Sequence, residues 1–227
     1  MTLAVFVAGS HTDIGKTHVA CALLRAARAR GLSVDALKPV VSGFDAADWS
    51  DSDPGRLLAA LGIEPSNAAL AAMSPWIFAA PLAPPMAAAL EGRTLTTSEV
   101  ADFCIGPRSD ADLFLVEGVG GLMSPLTCDG TGLDLMLAVG LPAILVGGSY
   151  LGAISHTLTA LEVCRARGLH VAAIVVSQDA APDAPDFAAT LALLEAHAAD
   201  IPVLAAPRDG TETRADALLA ILLSDRG

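Results

Sequence analysis

The chain has 227 residues, of which 53% are apolar and 17% charged, and its 13 basic against 25 acidic side chains give a formal net charge of −12. This composition predicts a single globular domain, spanning residues 1–227, with a sizeable core, and it excludes an intrinsically disordered chain. The strong negative charge argues against nucleic acid and anionic membrane surfaces as partners, which leaves small molecules and other proteins.

The N-terminus enters an apolar run at residues 3–8 with no basic region before it. That pattern is typical of a first strand and not of a signal peptide. The cysteines have neither CxxC spacing nor nearby histidine pairs, so reduced thiols are expected instead of a zinc site or a disulfide framework. These features favour a cytoplasmic protein. The cysteines are Cys21, Cys104, Cys128 and Cys164.

Short apolar runs alternate with longer amphipathic runs along the chain, which predicts strands alternating with helices. Because the strands are continuously apolar, we expect a three-layer α/β fold with a mostly parallel sheet covered by helices on both faces. The predicted strands are 3–8, 33–37, 113–116, 143–146, 171–176 and 201–204. The predicted helices are an apolar stripe from Val19 to Ala27 that ends at Gly31, and residues 54–61, 97–104, 155–167, 185–197 and 214–223.

A glycine-rich loop follows the first predicted strand and opens the first predicted helix. Residues 9–17 read GSHTDIGKT. In a phosphate-binding loop of this kind, backbone N–H groups and the helix N-terminus surround a polyphosphate, Lys16 neutralises its charge and Thr17 can ligate Mg²⁺. Five residues separate the two glycines, one more than in the common pattern, which indicates a variant of the P-loop.

Lys38 and Glu117 each stand at the end of a predicted strand, on the sheet edge that also carries the phosphate loop. There Lys38 can stabilise a transferring phosphoryl group, and Glu117 can face a metal ion with Thr17. Two alternatives stay open: Lys38 is a solvated strand-end lysine, and Glu117 caps a solvated strand end. Asp51 and Asp53 are either metal ligands or the N-cap of the helix predicted at 54–61.

Two further segments are suited to a small-molecule site. Residues 147–156 read GGSYLGAISH and enter a helix whose N-terminus can hold a carboxylate, unless Ser155 only caps it. Between Glu64 and Glu91 there is no charge, but prolines interrupt the segment, which predicts a buried, substrate-side segment and not a membrane span. The five histidines have no metal-ligand spacing and are interpreted as surface or hydrogen-bonded residues.

Taken in order, five motifs resemble those of the dethiobiotin synthetase family over nearly the entire chain. They are GSHTDIGKT at 9–17, KPVVSG at 38–43, SD at 52–53, VEGVGG at 116–121 and LGAISH at 151–156. The resemblance implies a P-loop NTPase-like α/β fold and a homodimer that binds its diamine near the subunit interface. It also implies Mg²⁺- and ATP-dependent carboxylation and ring closure of 7,8-diaminononanoate with CO₂ or bicarbonate, giving dethiobiotin, ADP and phosphate.

The resemblance implies the role of each site residue. Lys16 and Lys38 would be catalytic, by stabilising the transferring phosphoryl group. The metal would be held by Thr17, Asp53 and Glu117. ATP would be bound by Asp13, Ile14, Gly15, Lys16, Thr17, His18, Asp53, Glu117, Gly118, Val119, Gly120, Gln178, Ala206 and Pro207. The substrate would be bound by Thr12, Lys38 and Ser42, and by Gly152, Ala153, Ile154 and Ser155 of the neighbouring subunit.

The sequence departs from the family pattern at three places. Met86 follows Pro84-Pro85 where a histidine is frequent, Ser155 replaces an asparagine, and Ser177-Gln178 stands where an asparagine precedes the adenine. Gln178 or the backbone near Ala206 is then expected to read the base.

Two other classes of protein are alternatives. A related P-loop amidoligase would need a glutaminase domain, for which these 227 residues are expected to leave no room. A partitioning-type nucleotide switch would carry a second lysine early in the loop, where Ser10 and His11 stand.

Overall fold

The computed structural model describes residues 2–47, 49–106, 110–198, 200–208 and 211–224. The strands are β1 Leu3–Gly9, β2 Val34–Leu37, β3 Val40–Ser42, β4 Trp76–Phe78, β5 Leu113–Glu117, β6 Ala143–Gly148, β7 Val171–Ser177 and β8 Val203–Ala206. The helices are α1 Lys16–Ala29, α2 Asp53–Leu61, α3 Asn67–Met73, α4 Pro84–Leu90, α5 Thr97–Ile105, α6 Gly132–Val139, α7 Ala153–Ala166, α8 Phe187–His197 and α9 Thr211–Ser224. A short 3₁₀ turn at Trp49–Asp51 leads into α2.

The central sheet has six strands in the order β2-β5-β1-β6-β7-β8, all paired in parallel. Parallel pairing brings the carboxyl ends of these strands to one edge, where the loops after β1, β2, β5, β6 and β7 meet. In the register of β1 with β5, Val7 lies opposite Glu117. The sheet therefore places the phosphate loop beside the end of β5.

Both faces of the sheet are covered. Alternate residues of one strand face opposite sides, so Phe6 packs in one core while Val5 and Val7 pack in the other. The core around Val5 contains residues of α1, α2 and α9, and the core around Phe6 contains residues of α4 to α8. This confirms the predicted three-layer α/β fold with a parallel sheet. None of the helices in the described residues is long and apolar enough to cross a membrane.

The predicted elements are present with small shifts at their ends. Thr96 and Glu99 form a capping box at the start of α5, with both reciprocal hydrogen bonds. The last predicted strand begins at Val203 instead of Ile201, because pairing with β7 begins at Val203. Helix α7 begins at Ala153, two residues earlier than predicted.

The charge-free segment between Glu64 and Glu91 is organised differently from the prediction. It forms α3, α4 and the short strand β4, which pairs with β3 in a separate two-stranded sheet. The prediction that this segment is buried is wrong for much of its length, because residues 64–68 are exposed at its start and Met86 and Leu90 are 58% and 71% exposed near its end. Helices of seven residues are too short to show an apolar periodicity, so the sequence pattern could not reveal them.

Candidate active site

The phosphate loop turns sharply between β1 and α1. Gly15 is the N-cap of α1 and has φ +94°, a left-handed conformation that favours glycine. A Cβ atom at this position would lie 2.6 Å from Ser177 Oγ, so only glycine lets the loop approach the end of β7 this closely. Because Gly15 provides no side-chain cap, the first N–H groups of α1 keep the capacity to bind an anion.

The two polar side chains at the start of α1 point into the protein. Lys16 is only 6% exposed, and its Nζ donates a hydrogen bond to the carbonyl oxygen of His11, 3.3 Å away across the loop. Burial, and then the nearby Lys38 ammonium, lowers the pKa of Lys16 to about 8. Thr17 Oγ1 donates to Glu117 Oε1 at 2.6 Å, which joins the loop to the end of β5.

Lys38, Asp53 and Glu117 form an ion cluster beside this loop, in which Lys38 and Glu117 are buried and Asp53 is partly exposed. The Lys38 ammonium lies 2.6 Å from Asp53 Oδ2 and 2.5 Å from Glu117 Oε1. The Lys38 side chain is 2% exposed and that of Glu117 is completely buried. Although burial acts to lower the pKa of Lys38, the two carboxylates raise it above its ordinary value, so the group is an ammonium ion. The interpretations of Lys38 and Glu117 as solvated strand-end residues are therefore wrong.

Asp53 reaches the cluster from the first residue of α2. Ser52 is the N-cap of this helix, and its Oγ accepts a hydrogen bond from the Gly55 N–H at 3.3 Å. The alternative in which Asp51 or Asp53 caps the helix is therefore wrong. With the cap supplied by Ser52, the Asp53 carboxylate faces Lys38, which lowers the pKa of Asp53 although burial acts to raise it.

One oxygen of the cluster is buried without a partner. Glu117 Oε2 has no hydrogen-bond donor within the described part of the chain, whereas Oε1 accepts from both Thr17 and Lys38. A buried carboxylate oxygen of this kind is costly unless a cation or a donor reaches it. Two carboxylates and the Thr17 hydroxyl are the hard oxygen donors that Mg²⁺ prefers, so these residues fit a magnesium site completed by water and phosphate oxygens.

A cavity of about 490 Å³ lies over the phosphate loop. The predicted ATP-binding residues that line it are Asp13, Ile14, Gly15, His18, Gln178 and Ala206. Thr12, predicted to bind the substrate, lines it as well. Gln178 is held in place because its Oε1 accepts from the Arg208 N–H at 3.2 Å and its own N–H donates to Ala206 at 3.0 Å. Arg56 and Tyr150 also line this cavity. The sequence analysis assigned a role to neither, since Arg56 belongs to no motif and Tyr150, although within residues 147–156, precedes the LGAISH motif.

A second cavity of about 380 Å³ lies on the other side of Thr12, which lines both. Its walls include Ser10, His11, residues 121–124 and His156. The rings of His11 and His156 are parallel within 8°, and Tyr150 Oη lies 2.6 Å from His156 Nδ1. These two histidines are exposed as predicted, but their position on a cavity wall could not be inferred from spacing.

The remaining predicted substrate residues line neither of these two cavities. Ser42 ends β3 and is half-buried. Gly152 is the N-cap of α7 with φ +96° and has no side-chain cap, so the alternative in which Ser155 caps this helix is wrong. Ser155 is instead an exposed residue of the first turn. Of the predicted ATP-binding residues that do not line the first cavity, Gly118 to Gly120 follow Glu117, and Pro207 follows β8.

The chain is similar to proteins of known activity over most of its length. The family model described as an AAA domain matches residues 4–207. The ATP-dependent dethiobiotin synthetase of Phenylobacterium zucineum is 56% identical over 223 residues, which cover 97% of this chain and 95% of that protein. The protein of the same name from Caulobacter vibrioides is 58% identical over 211 residues, covering 91% of this chain and 93% of that one.

Solved structures share the fold at low sequence identity. The cell division ATPase MinD of Pyrococcus furiosus has a TM-score of 0.57 at 14% identity, with 99% of both chains covered. The hydrogenase maturation factor HypB of Archaeoglobus fulgidus has a TM-score of 0.57 at 17% identity, covering 97% of this chain and 90% of that one. These likenesses concern the fold alone, and they agree with the parallel sheet and phosphate loop described above.

Proposed function

Since the chain belongs to the family of ATP-dependent dethiobiotin synthetases, we propose that the ion cluster and the two cavities form the site where this ligase closes the ureido ring of dethiobiotin. The chain is an ATP-using ligase of biotin biosynthesis. The observation that carries the assignment to this site is the ion cluster of Lys38, Asp53 and Glu117 against the phosphate loop, with Lys38 and Glu117 buried. Such a cluster is suited to the charge that develops in phosphoryl transfer.

The proposed reaction has three steps. One amine of 7,8-diaminononanoate attacks CO₂ and forms a carbamate, with loss of a proton. A carbamate oxygen then attacks the γ-phosphorus of ATP, which releases ADP. The second amine attacks the carbonyl carbon and loses a proton, the C–O bond to phosphate breaks, and the cyclic urea and inorganic phosphate form. Measuring phosphate release from ATP with and without the diamine and bicarbonate tests this function. Phosphate release at the same rate with and without the diamine would contradict it.

The protein mainly positions the reactants and neutralises charge in these steps. Lys16 lies on the loop that would hold the β- and γ-phosphates, and Lys38 approaches from the end of β2. Mg²⁺ bound by Thr17, Asp53 and Glu117 would neutralise phosphate oxygens. Thr12, on the wall shared by the two cavities, would contact both the nucleotide side and the diamine side.

The metal assignment predicts that Glu117→Gln raises the Mg²⁺ concentration needed for half-maximal activity by about tenfold or more, because it removes a charged oxygen from a hard cation. Titrating dethiobiotin formation against Mg²⁺ measures this. Asp51→Asn is the matched control, since Asp51 is an exposed acid close to Asp53 in sequence that forms no part of the cluster. Superimposable curves for Glu117→Gln and the wild type would show that Glu117 does not serve the metal.

The position of Gln178 in the nucleotide cavity predicts a weak preference for ATP over other nucleoside triphosphates. The Gln178 carbonyl oxygen is occupied by the Arg208 N–H, so the side chain offers the base only its NH₂ group. We expect Ser177→Asn, which adds an amide with both a donor and an acceptor, to raise kcat/KM for ATP relative to GTP and CTP. Ser177→Ala is the control, because it removes the hydroxyl without adding an amide. Equal nucleotide ratios in all three proteins would place base reading elsewhere.

We also propose a homodimer in which each site uses the start of α7 from the neighbouring subunit. The uncapped N-terminus at Gly152 is suited to the distal carboxylate of the diamine, and Leu151 is 89% exposed beside it. Mixing Lys16→Ala subunits with Ser155→Glu subunits is expected to restore activity, because one of the two sites in the mixed dimer is then intact. Mixed dimers, verified by mass, with no more activity than either parent would reject the shared site.

A cytoplasmic location completes the proposal. Cys21 and Cys164 are buried thiols, and burial raises the pKa of Cys21 to about 12, which keeps this thiol protonated and unreactive. Buried protonated thiols are compatible with a reducing compartment.

A further inference from the structure

The position between Asp53 and Glu117 is taken by a side chain of the protein itself. The Lys38 ammonium donates to one oxygen of each carboxylate, at 2.6 Å and 2.5 Å, and is buried together with Glu117, whereas Asp53 is partly exposed. Glu117 Oε1 also accepts from Thr17, so the only oxygen of this carboxylate without a partner is Oε2. Of the two Asp53 oxygens, Oδ2 is held by Lys38.

This arrangement is incompatible with a divalent ion shared by the two carboxylates. Mg²⁺ needs carboxylate oxygens at about 2.0–2.1 Å in near-octahedral geometry. An ion that took the oxygens now bound to Lys38 would face the ammonium directly, with no anion between them. The triphosphate of a nucleotide provides such an anion, since it can accept the ammonium and complete the ion's coordination at once.

We propose that Lys38 is a stand-in cation, whose ammonium holds Asp53 and Glu117 in position in the nucleotide-free protein and excludes a free divalent ion until nucleotide and ion arrive together. In this state Lys38 is a positioning residue. The inference that the Lys38 ammonium moves from the carboxylates to the phosphates of the nucleotide rests on the proposed ATP-dependent function. The consequence is ordered binding, in which the ion enters with the nucleotide and not before it.

The composition of the chain makes this proposal easy to test. Lys16 and Lys38 are its only two lysines. Lys16 lies in the same site, but its Nζ donates to the His11 carbonyl and forms no described ion pair with the carboxylates. Lys16→Met therefore removes a nearby positive charge without emptying the position between Asp53 and Glu117, and it is the matched control for Lys38→Met. Methionine keeps an unbranched side chain of similar length in both variants.

The probe is Mn²⁺ alone, titrated without nucleotide and followed by the electron paramagnetic resonance of the free ion. Lys38→Met is expected to bind Mn²⁺ at least about 100-fold more tightly than the wild type, and Lys16→Met within about tenfold of it. Adding Glu117→Gln to Lys38→Met is expected to abolish the gain in affinity for Mn²⁺. The proposal is overturned if Lys38→Met binds no more tightly than Lys16→Met, or if the wild type binds as tightly as Lys38→Met.

Removing Lys38 leaves two carboxylates without their counter-charge and can unfold the variant. A second measurement therefore uses the wild type. With lysine-selective ¹⁵N labelling, two side-chain signals are expected, and Lys16→Met assigns them. The Lys38 signal should be unchanged by Mg²⁺ alone and should shift when Mg²⁺ is added with a non-hydrolysable ATP analogue. A shift with Mg²⁺ alone, or none with the complex, would overturn the proposal.

None of these measurements depends on turnover. If the Mn²⁺ and ¹⁵N results are as expected but no dethiobiotin forms, the proposed function fails and the stand-in role of Lys38 survives. If dethiobiotin forms but Lys38→Met gains no affinity for Mn²⁺, the stand-in role alone fails.

Discussion

Lys16→Ala is expected to abolish ATP-dependent ring closure, with a loss in kcat/KM of about 10³-fold or more, because it removes the fixed charge that faces the β- and γ-phosphates. The structure also predicts that the variant folds. Lys16 is buried, and its Nζ has one described hydrogen bond, to the His11 carbonyl. Because burial already disfavours the ammonium, its removal is expected to change the melting temperature little.

Dethiobiotin formation and thermal melting, measured on the same preparation, check this prediction. Arg56→Ala is a useful comparison, since Arg56 lines the nucleotide cavity but is not part of the phosphate loop. The decrease in kcat/KM caused by Arg56→Ala is expected to be smaller than the decrease caused by Lys16→Ala. A Lys16→Ala protein with near wild-type ring closure would contradict the assignment of residues 9–17 as the phosphate site.

Lys38→Ala is expected to lower kcat by about 10³-fold while the Kd for ATP changes by less than about tenfold, because the ammonium is proposed to act on charge that develops during transfer. Here, unlike at Lys16, a loss of stability is also expected. Removing one partner of a buried ion pair typically costs about 3–5 kcal/mol, since the remaining charge is left uncompensated. Asp53 is partly exposed, which places the expected cost toward the lower end of that range.

Single-turnover kinetics and calorimetric ATP binding separate the two effects, provided that both are measured well below the melting temperature of the variant. Lys38→Arg keeps the positive charge and is expected to recover stability more than activity, because the guanidinium is larger than the ammonium that fits between Asp53 and Glu117. An unchanged kcat in Lys38→Ala would show that Lys38 serves only the stability of the cluster.

The sequence patterns that predicted correctly are local ones. GSHTDIGKT lies between an apolar run and an amphipathic run, and this order alone predicts strand, phosphate loop and helix. Thr96 and Glu99 are three residues apart, so their capping box is readable from the sequence. The elements that were missed are α3, α4, α6 and the β3–β4 pair, which have three to eight residues each.

The alternatives that the sequence left open were decided by distant parts of the chain. Lys38 and Glu117 are 79 residues apart in sequence, and each alone resembles an exposed strand-end residue. They become buried partners because β2 and β5 are neighbours in the sheet and α2 brings Asp53 against them. Whether Asp53 caps α2 or faces Lys38 was likewise decided by Ser52, which occupies the capping position.

By itself, therefore, the sequence determined the phosphate loop, the parallel sheet, the three-layer fold and, through ordered motifs, the family. These follow from hydrophobic periodicity and from glycine and capping residues, whose effects act within a few positions of the chain. Only the tertiary structure decided which side chains are desolvated, which carboxylate oxygen lacks a partner and which cation stands between Asp53 and Glu117. The free energy of a buried charge depends on what surrounds it in space, and that is set by the packing of elements far apart in sequence.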